Sequence, residues 1–187
     1  MNAFIIISGP AGVGKTTVAK ALLKTYPHLR SSVTYTTRHK RQNSTEDKKM
    51  YYVEKEEFER RRDVGEFLEW AVVHGDYYGT HKAETEALLR ISPVLFNIDV
   101  QGAQQLKRLY GDAVVAIFLL PESHEQLVDH LRERGEMSEG TFQARLRSAE
   151  HELSAQDSFD YRVVNAEGKL NETVEHIRAI IDPLLAA

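Results

Sequence analysis

A parallel β-sheet flanked by helices, an α/β fold, is the architecture this sequence predicts. Three observations carry it. Short, continuous apolar runs at 3–7, 94–99 and 113–120 read as buried strands. Stretches with helical apolar spacing lie between and after them, in alternation. The first run ends in Ser8-Gly9-Pro10, a loop that opens directly onto a helix.

The elements follow in order. Val18, Ala19, Leu22 and Leu23 place one apolar face on a helix from Lys15 to Thr25, which Pro27 stops. Residues 31–49 are polar and carry no long apolar period. Lys55 to Arg62 reads as a charged, solvated helix around Phe58, and Gly65 to Val73 as a strand. The segment HGDYYGT that follows is turn-like. Residues 34–82 thus form a small insertion of short strands. Ser123 and Gln126 make a capping-box pattern after Pro121, and Leu127, Val128 and Leu131 form the apolar face of the helix they start. Arg132 to Arg147 is charged and is read as broken by Gly135 and Gly140. Tyr161 to Val164 is a last strand, and Leu170 to Leu185 a last helix with Val174, Ile177, Ile181 and Leu185 on one face.

Composition narrows the function. The 187 residues fit one domain. With 42% hydrophobic and 28% charged residues the chain is an ordinary globular one. Lys+Arg is 24 against 28 Asp+Glu, and a net charge of −4 argues against broad binding of a nucleic acid polymer. Cysteine is absent, which excludes disulfides and thiolate metal sites. No apolar run approaches the roughly 18 residues of a membrane span, and MNAFIIISGP lacks a basic leader. The expectation is a cytoplasmic protein with no membrane partner and no obligate protein partner.

The sharpest motif is Gly9-Pro10-Ala11-Gly12-Val13-Gly14-Lys15-Thr16, which matches G-x-x-x-x-G-K-[ST] between a strand and a helix. Glycines let backbone N–H groups converge on phosphate oxygens, and the helix presents its positive end to the anion. Lys15 is expected to reach the β/γ-phosphates of a nucleoside triphosphate, and the Thr16 hydroxyl to ligate Mg²⁺. No N-K-x-D base-reading motif of Ras-type GTPases is present, so a small-molecule kinase is the natural class.

Further segments carry a resemblance. Thr36-Thr37-Arg38-x-x-Arg41, Glu69-Trp70-Ala71, Gly75-Asp76-Tyr77-Tyr78-Gly79-Thr80, Ile98-Asp99-Val100-Gln101-Gly102-Ala103, Arg132-Glu133-Arg134-Gly135 and Arg145-Leu146 resemble the guanylate kinase family in order and spacing. The resemblance implies a three-layer P-loop NTPase fold and the reaction of ATP with GMP to give ADP and GDP. It divides the single domain into a parallel-sheet core (1–33, 83–131 and 149–187), a nucleotide-monophosphate-binding insertion (about 34–82) and an Arg-bearing lid (about 132–148). It implies Lys15, Arg38, Arg134 and Arg145 around the transferring phosphoryl, and ATP on the loop from Gly9 to Thr16, on Thr17 and on Arg134. For GMP it implies Thr34, Arg38, Arg41, Glu69, Tyr78, Thr80 and Asp99.

The chemistry of the side chains agrees. Arginine forks suit a phosphate dianion, and Tyr78 can donate to the same group. One carboxylate, that of Glu69, can accept from both N1–H and the 2-amino group of guanine. Asp99 ends an apolar strand, where open α/β sheets place ligands; it could orient Arg38, water around Mg²⁺ or the acceptor, or simply cap.

The acceptor side departs from the family pattern. After Arg38 the chain reads H-K-R-Q-N-S-T-E-D-K-K-M-Y-Y-V, without the family's proline, glycines and Asp-Tyr pair. Met50 takes the slot of a phosphate-binding tyrosine and cannot donate. Tyr51 is adjacent, but a one-residue step in a strand points to the other face unless a bulge intervenes. Lys40 and Lys49 add charge. Asn97 stands where an acid is usual, and His130 where Arg is frequent. A kinase for another phosphorylated acceptor and a non-catalytic protein-binding module remain as alternatives to GMP phosphorylation.

Overall fold

The computed structural model describes residues 3–40, 50–133 and 137–186. The chain runs β1 (Phe4–Ser8), α1 (Lys15–Thr25), β2 (Arg30–Ser31), β3 (Thr34–Thr36), β4 (Met50–Tyr52), α2 (Lys55–Asp63), β5 (Phe67–Val73), β6 (Asp76–His81), α3 (Lys82–Leu89), β7 (Val94–Asn97), α4 (Val100–Tyr110), β8 (Val114–Pro121), α5 (His124–Arg132), α6 (Glu139–Leu153), β9 (Tyr161–Asn165) and α7 (Leu170–Leu185).

Two sheets form. The first has five strands in the order β2-β7-β1-β8-β9, all parallel. Its strands are apolar on both faces because both faces are covered. Ile5 and Ile7 turn to one side and meet Val18 and Leu22 of α1 and Ile177 and Ile181 of α7. Phe4 and Ile6 turn to the other and meet Val100, Ala103 and Leu106 of α4. The result is helix, sheet, helix in three layers.

The second sheet has four strands in the order β4-β3-β6-β5. β3 pairs parallel with β4 and antiparallel with β6. The sheet's aromatic face packs on α2. Phe58 of α2 stacks on Phe67 at 4.5 Å between ring centroids, and Tyr35 stacks on Tyr51 at 4.9 Å.

Three sequence expectations change here. HGDYYGT is not a turn as a whole. The turn is His74-Gly75 alone, a two-residue hairpin with φ of 52° and 91°, and the tyrosines lie in β6. Gly140 does not break the charged segment, and Gly135 lies outside the described residues. Gly140 sits in the first turn of the continuous helix α6, where Ser138 caps and the missing side chain costs least. The capping box is half formed: Ser123 accepts from Gln126 N–H at 3.2 Å, but the Gln126 side chain turns to Glu122 N–H and the Asn165 carbonyl.

Candidate active site

The phosphate loop lies at the carboxyl end of β1, where the parallel sheet leaves its backbone amides open. Gly9, Gly12 and Gly14 all have positive φ. A side chain at Gly9 would also meet the Leu119 carbonyl at 2.5 Å, so the loop is pressed against β8. Gly14 precedes α1 without any side-chain cap, and no acidic residue occupies the first turn. That helix end is therefore left for an anion. Thr16 and Thr17 are exposed there, while Ala11 and Val13 bury their side chains and offer only backbone.

Lys15 takes a position the sequence did not predict. Its Nζ donates to the carbonyls of Gly9 (2.5 Å) and Pro10 (2.9 Å). The loop is also braced from three sides. Glu152 of α6 accepts from Ala11 N–H at 3.0 Å. His130 of α5 meets the Gly12 carbonyl at 3.1 Å. Asn165, at the end of β9, donates to the Val13 carbonyl at 2.8 Å and is itself held by Thr173 at 2.9 Å. Thr16 receives a hydrogen bond from Asn97 Nδ2 at 3.3 Å.

The open face of the second sheet looks quite different. Residues directly across a ladder share a face. One row is Glu69, Thr80, Thr34 and Met50, and the next is Ala71, Tyr78, Thr36 and Tyr52. Thr80 donates to the Glu69 carboxylate at 2.5 Å inside the first row. Glu69 is only 4% exposed. Burial pushes its carboxyl up to about 7; the Thr80 hydrogen bond opposes the shift and the Asp99 charge adds to it.

Helix α4 locks this row in place. Gly102 has room for no side chain, because a Cβ there would run into the Glu69 carboxylate. Gln105 brackets the next residue of β5, donating to the Trp70 carbonyl at 2.8 Å and accepting from its N–H at 3.4 Å. Asp99 is the cap of α4 and accepts from Gly102 N–H at 2.8 Å. Of the roles left open for it, capping is the one its geometry displays. Burial holds the Asp99 and Glu152 carboxyls above the usual range, and Lys15 opposes the shift in both. Lys15 thus ties the phosphate loop electrostatically to the acid at the start of α4 and the acid on α6.

The arginines are distributed over several elements. Arg38 follows β3, with its backbone N–H on Thr36 Oγ1 at 3.2 Å and its guanidinium on the His39 carbonyl at 2.8 Å. Arg145 is half-buried on α6, two turns before Glu152 and on the same helical face, about 10 Å along the axis. Arg132 ends α5 with its guanidinium over the Phe142 ring at 5.0 Å. Arg41 and Arg134 lie outside the described residues.

Sequence reasoning missed several contributors. Glu152 carried no local signal beyond its seven-residue spacing from Arg145. Asn165 was findable as the last residue of a parallel strand. Tyr52 was findable as the next same-face residue after Met50. Tyr51 points to the packed face, as its stacking on Tyr35 shows, and no bulge returns it.

A phosphate loop at the carboxyl edge of a parallel sheet, joined through one helix to a carboxylate- and hydroxyl-lined second sheet, defines a P-loop kinase of a small acceptor. Residues 1–184 match the guanylate kinase family, and the chain belongs to it. It is 41% identical over 189 residues to the guanylate kinase of Porphyromonas gingivalis, covering all of both chains. It is 39% identical to that of Bartonella henselae, over 94% of this chain and 78% of the other. A crystal structure of guanylate kinase from Anaplasma phagocytophilum superposes with a TM-score of 0.77 at 32% identity, covering 100% of this chain and 87% of that one.

Proposed function

We propose that this chain transfers the γ-phosphoryl group of ATP to GMP, giving ADP and GDP. The observation that carries the reading is the buried Glu69–Thr80 pair across α4 from an intact phosphate loop. A carboxylate held by one hydroxyl keeps lone pairs for the N1–H and 2-amino donors of guanine. Adenine lacks that donor pair.

The loop from Gly9 to Thr16 and Thr17 cradles the ATP phosphates. Lys15 leaves the Gly9 and Pro10 carbonyls for the phosphate oxygens, a stronger partner for an ammonium ion. Arg38 and Arg41 hold the acceptor phosphate with Tyr78, and Thr34 and Thr80 face the base with Glu69. Arg134 and Arg145 cover the transferring group from the lid. Asp99 keeps α4, and through Gly102 the Glu69 carboxylate, at a fixed distance from Lys15.

Mg²⁺ fits the exposed Thr16 hydroxyl, with Asn97 beside it and phosphate oxygens completing an oxygen shell. When bound, the ion neutralises charge on the β- and γ-phosphates. The attacking oxygen of GMP is already anionic, so no general base is needed. Catalysis is alignment plus charge neutralisation. Closure of the insertion (34–82) and the lid (132–148) over the core keeps water from the γ-phosphate. ATP and GMP both belong to the cytoplasm, where we place the protein; no helix among the described residues is long and apolar enough to cross a membrane.

A coupled ADP-release assay with ATP, Mg²⁺ and a panel of GMP, dGMP, IMP, AMP, UMP and CMP tests the reading. Turnover with GMP that disappears in Lys15→Ala is the expected result. ATP binding without turnover on any nucleotide overturns it, and points to another phosphorylated acceptor or to a binding role.

A further inference from the structure

Tyr52 ends β4, at the edge of the second sheet. Its hydroxyl is shut off from solvent and has no hydrogen-bond partner among the described residues. A buried hydroxyl left without a partner costs free energy, so such groups call for an explanation. The register supplies one. Tyr52 lies directly across from Thr36, and Thr36 directly across from Tyr78. All three therefore share the face of the sheet that carries Glu69 and Thr80. The Arg38 guanidinium sits over the Tyr52 ring, 5.8 Å from its centroid. Two tyrosines and one arginine thus gather at one end of the face that carries the base-reading pair. Met50, in the neighbouring row, brings no donor. Tyr51 is committed to the opposite face against Tyr35.

We propose that the Tyr52 hydroxyl donates to the phosphate of the acceptor nucleotide, beside Arg38 and Tyr78. The inference rests on the reading of this face as the acceptor site. The acceptor phosphate supplies the partner that the hydroxyl lacks among the described residues. Strand alternation explains why the donor stands at position 52: the two same-face positions of β4 are 50 and 52, and only the second is a tyrosine.

Tyr52→Phe removes the hydroxyl and keeps the ring, so the fold is retained. GMP and guanosine affinities are measured by calorimetry, with kcat and KM for GMP and the Tm of the free protein. Tyr51→Phe serves as the opposite-face control. A hydrogen bond to a charged group gives an expected loss of about tenfold or more in GMP affinity. The loss appears in KM for GMP, while guanosine affinity and the KM for ATP stay unchanged. The free protein has an unchanged or higher Tm, because an unsatisfied group has been removed. A hydroxyl with a merely structural role would instead lower Tm and weaken guanosine and GMP alike, which overturns the proposal. Equal GMP affinity in Tyr52→Phe and the parent, with the parent turning over GMP, also overturns it and leaves GMP phosphorylation standing. If the parent neither binds nor phosphorylates GMP, the acceptor reading falls first and Tyr52 with it.

Discussion

The two sheets of this protein solve opposite problems. The five-stranded sheet is covered on both faces and buries nearly every side chain of β1, β7 and β8. The four-stranded sheet packs one face on α2, and its other face, which meets α4 along β5, carries hydroxyls, a carboxylate and an arginine. The first is built for rigidity and holds the phosphate loop by its edge. The second is built for recognition, and its polar face is held by contacts to α4 rather than by a core of its own. The lesson is that the proposed donor and acceptor sites rest on differently packed structures within one chain. Local opening is expected where buried apolar contact is smallest.

The largest effect should come from undercutting the second sheet. Phe58 is fully buried between α2 and the sheet and stacks on Phe67. Phe58→Ala is expected to cost about 3–5 kcal/mol. Amide hydrogen exchange should rise across β3, β5 and β6 and stay low in β1 and β8. Uniform loss of protection in both sheets would show instead that they unfold as one unit.

Next come the two halves of the site. Lys15→Ala should lower kcat by about 100- to 1,000-fold, and isothermal titration should show GMP binding little changed. Glu69→Gln should do the reverse, because one N–H of its amide opposes a guanine donor. A loss of about 100-fold in kcat/KM for GMP is expected with ATP affinity retained. If either variant weakened both ligands equally, the division into donor and acceptor halves would fail.

The Glu69 carboxyl adds a pH signature. Its pKa is raised from 4.5 to about 7 in the folded protein. Guanine binds the charged form, so GMP affinity should be full above about pH 7. It should fall as pH drops through that value, by up to about tenfold per unit. Stability runs the other way. The folded protein holds a proton that the unfolded chain releases, so this group makes the fold less stable as pH rises from 4.5 to about 7. Denaturant midpoints for the parent and Glu69→Gln at pH 5 and pH 8 should converge at the lower pH and separate at the higher, with the variant more stable.

The smallest effect concerns the metal side. Asn97 donates to Thr16. Asn97→Asp places a negative charge beside the proposed Mg²⁺ ligand at a solvent-exposed site. The Mg²⁺ concentration for half-maximal turnover should fall about twofold to fivefold. No change would mean that Asn97 only positions the Thr16 hydroxyl.

Sequence and structure agree best where a residue's role depends on its immediate neighbours. The phosphate loop, the apolar strands and the helix faces of Leu22, Leu127 and Ile177 could all be read directly, because glycine conformation, apolar runs and helical period are local properties. Glu69 and Thr80 were legible as a pair through the family resemblance. Their contact, the squeeze of Gly102 against the carboxylate and the brace from Gln105 were not. HGDYYGT looked like a turn because glycine and polar residues mark turns, yet five of its residues become strand once β3 and β5 offer partners.

By itself the sequence determined a parallel α/β core, an ATP-type phosphate loop at the end of its first strand and a polar insertion with altered acceptor chemistry. Tertiary structure alone decided which side chains of that insertion share a face, which acids converge near Lys15, and that Tyr52 rather than Tyr51 stands beside Arg38. The physical reason is register. Strand pairing and the docking of α4 bring together residues dozens of positions apart, and neither is encoded in any short stretch of the chain.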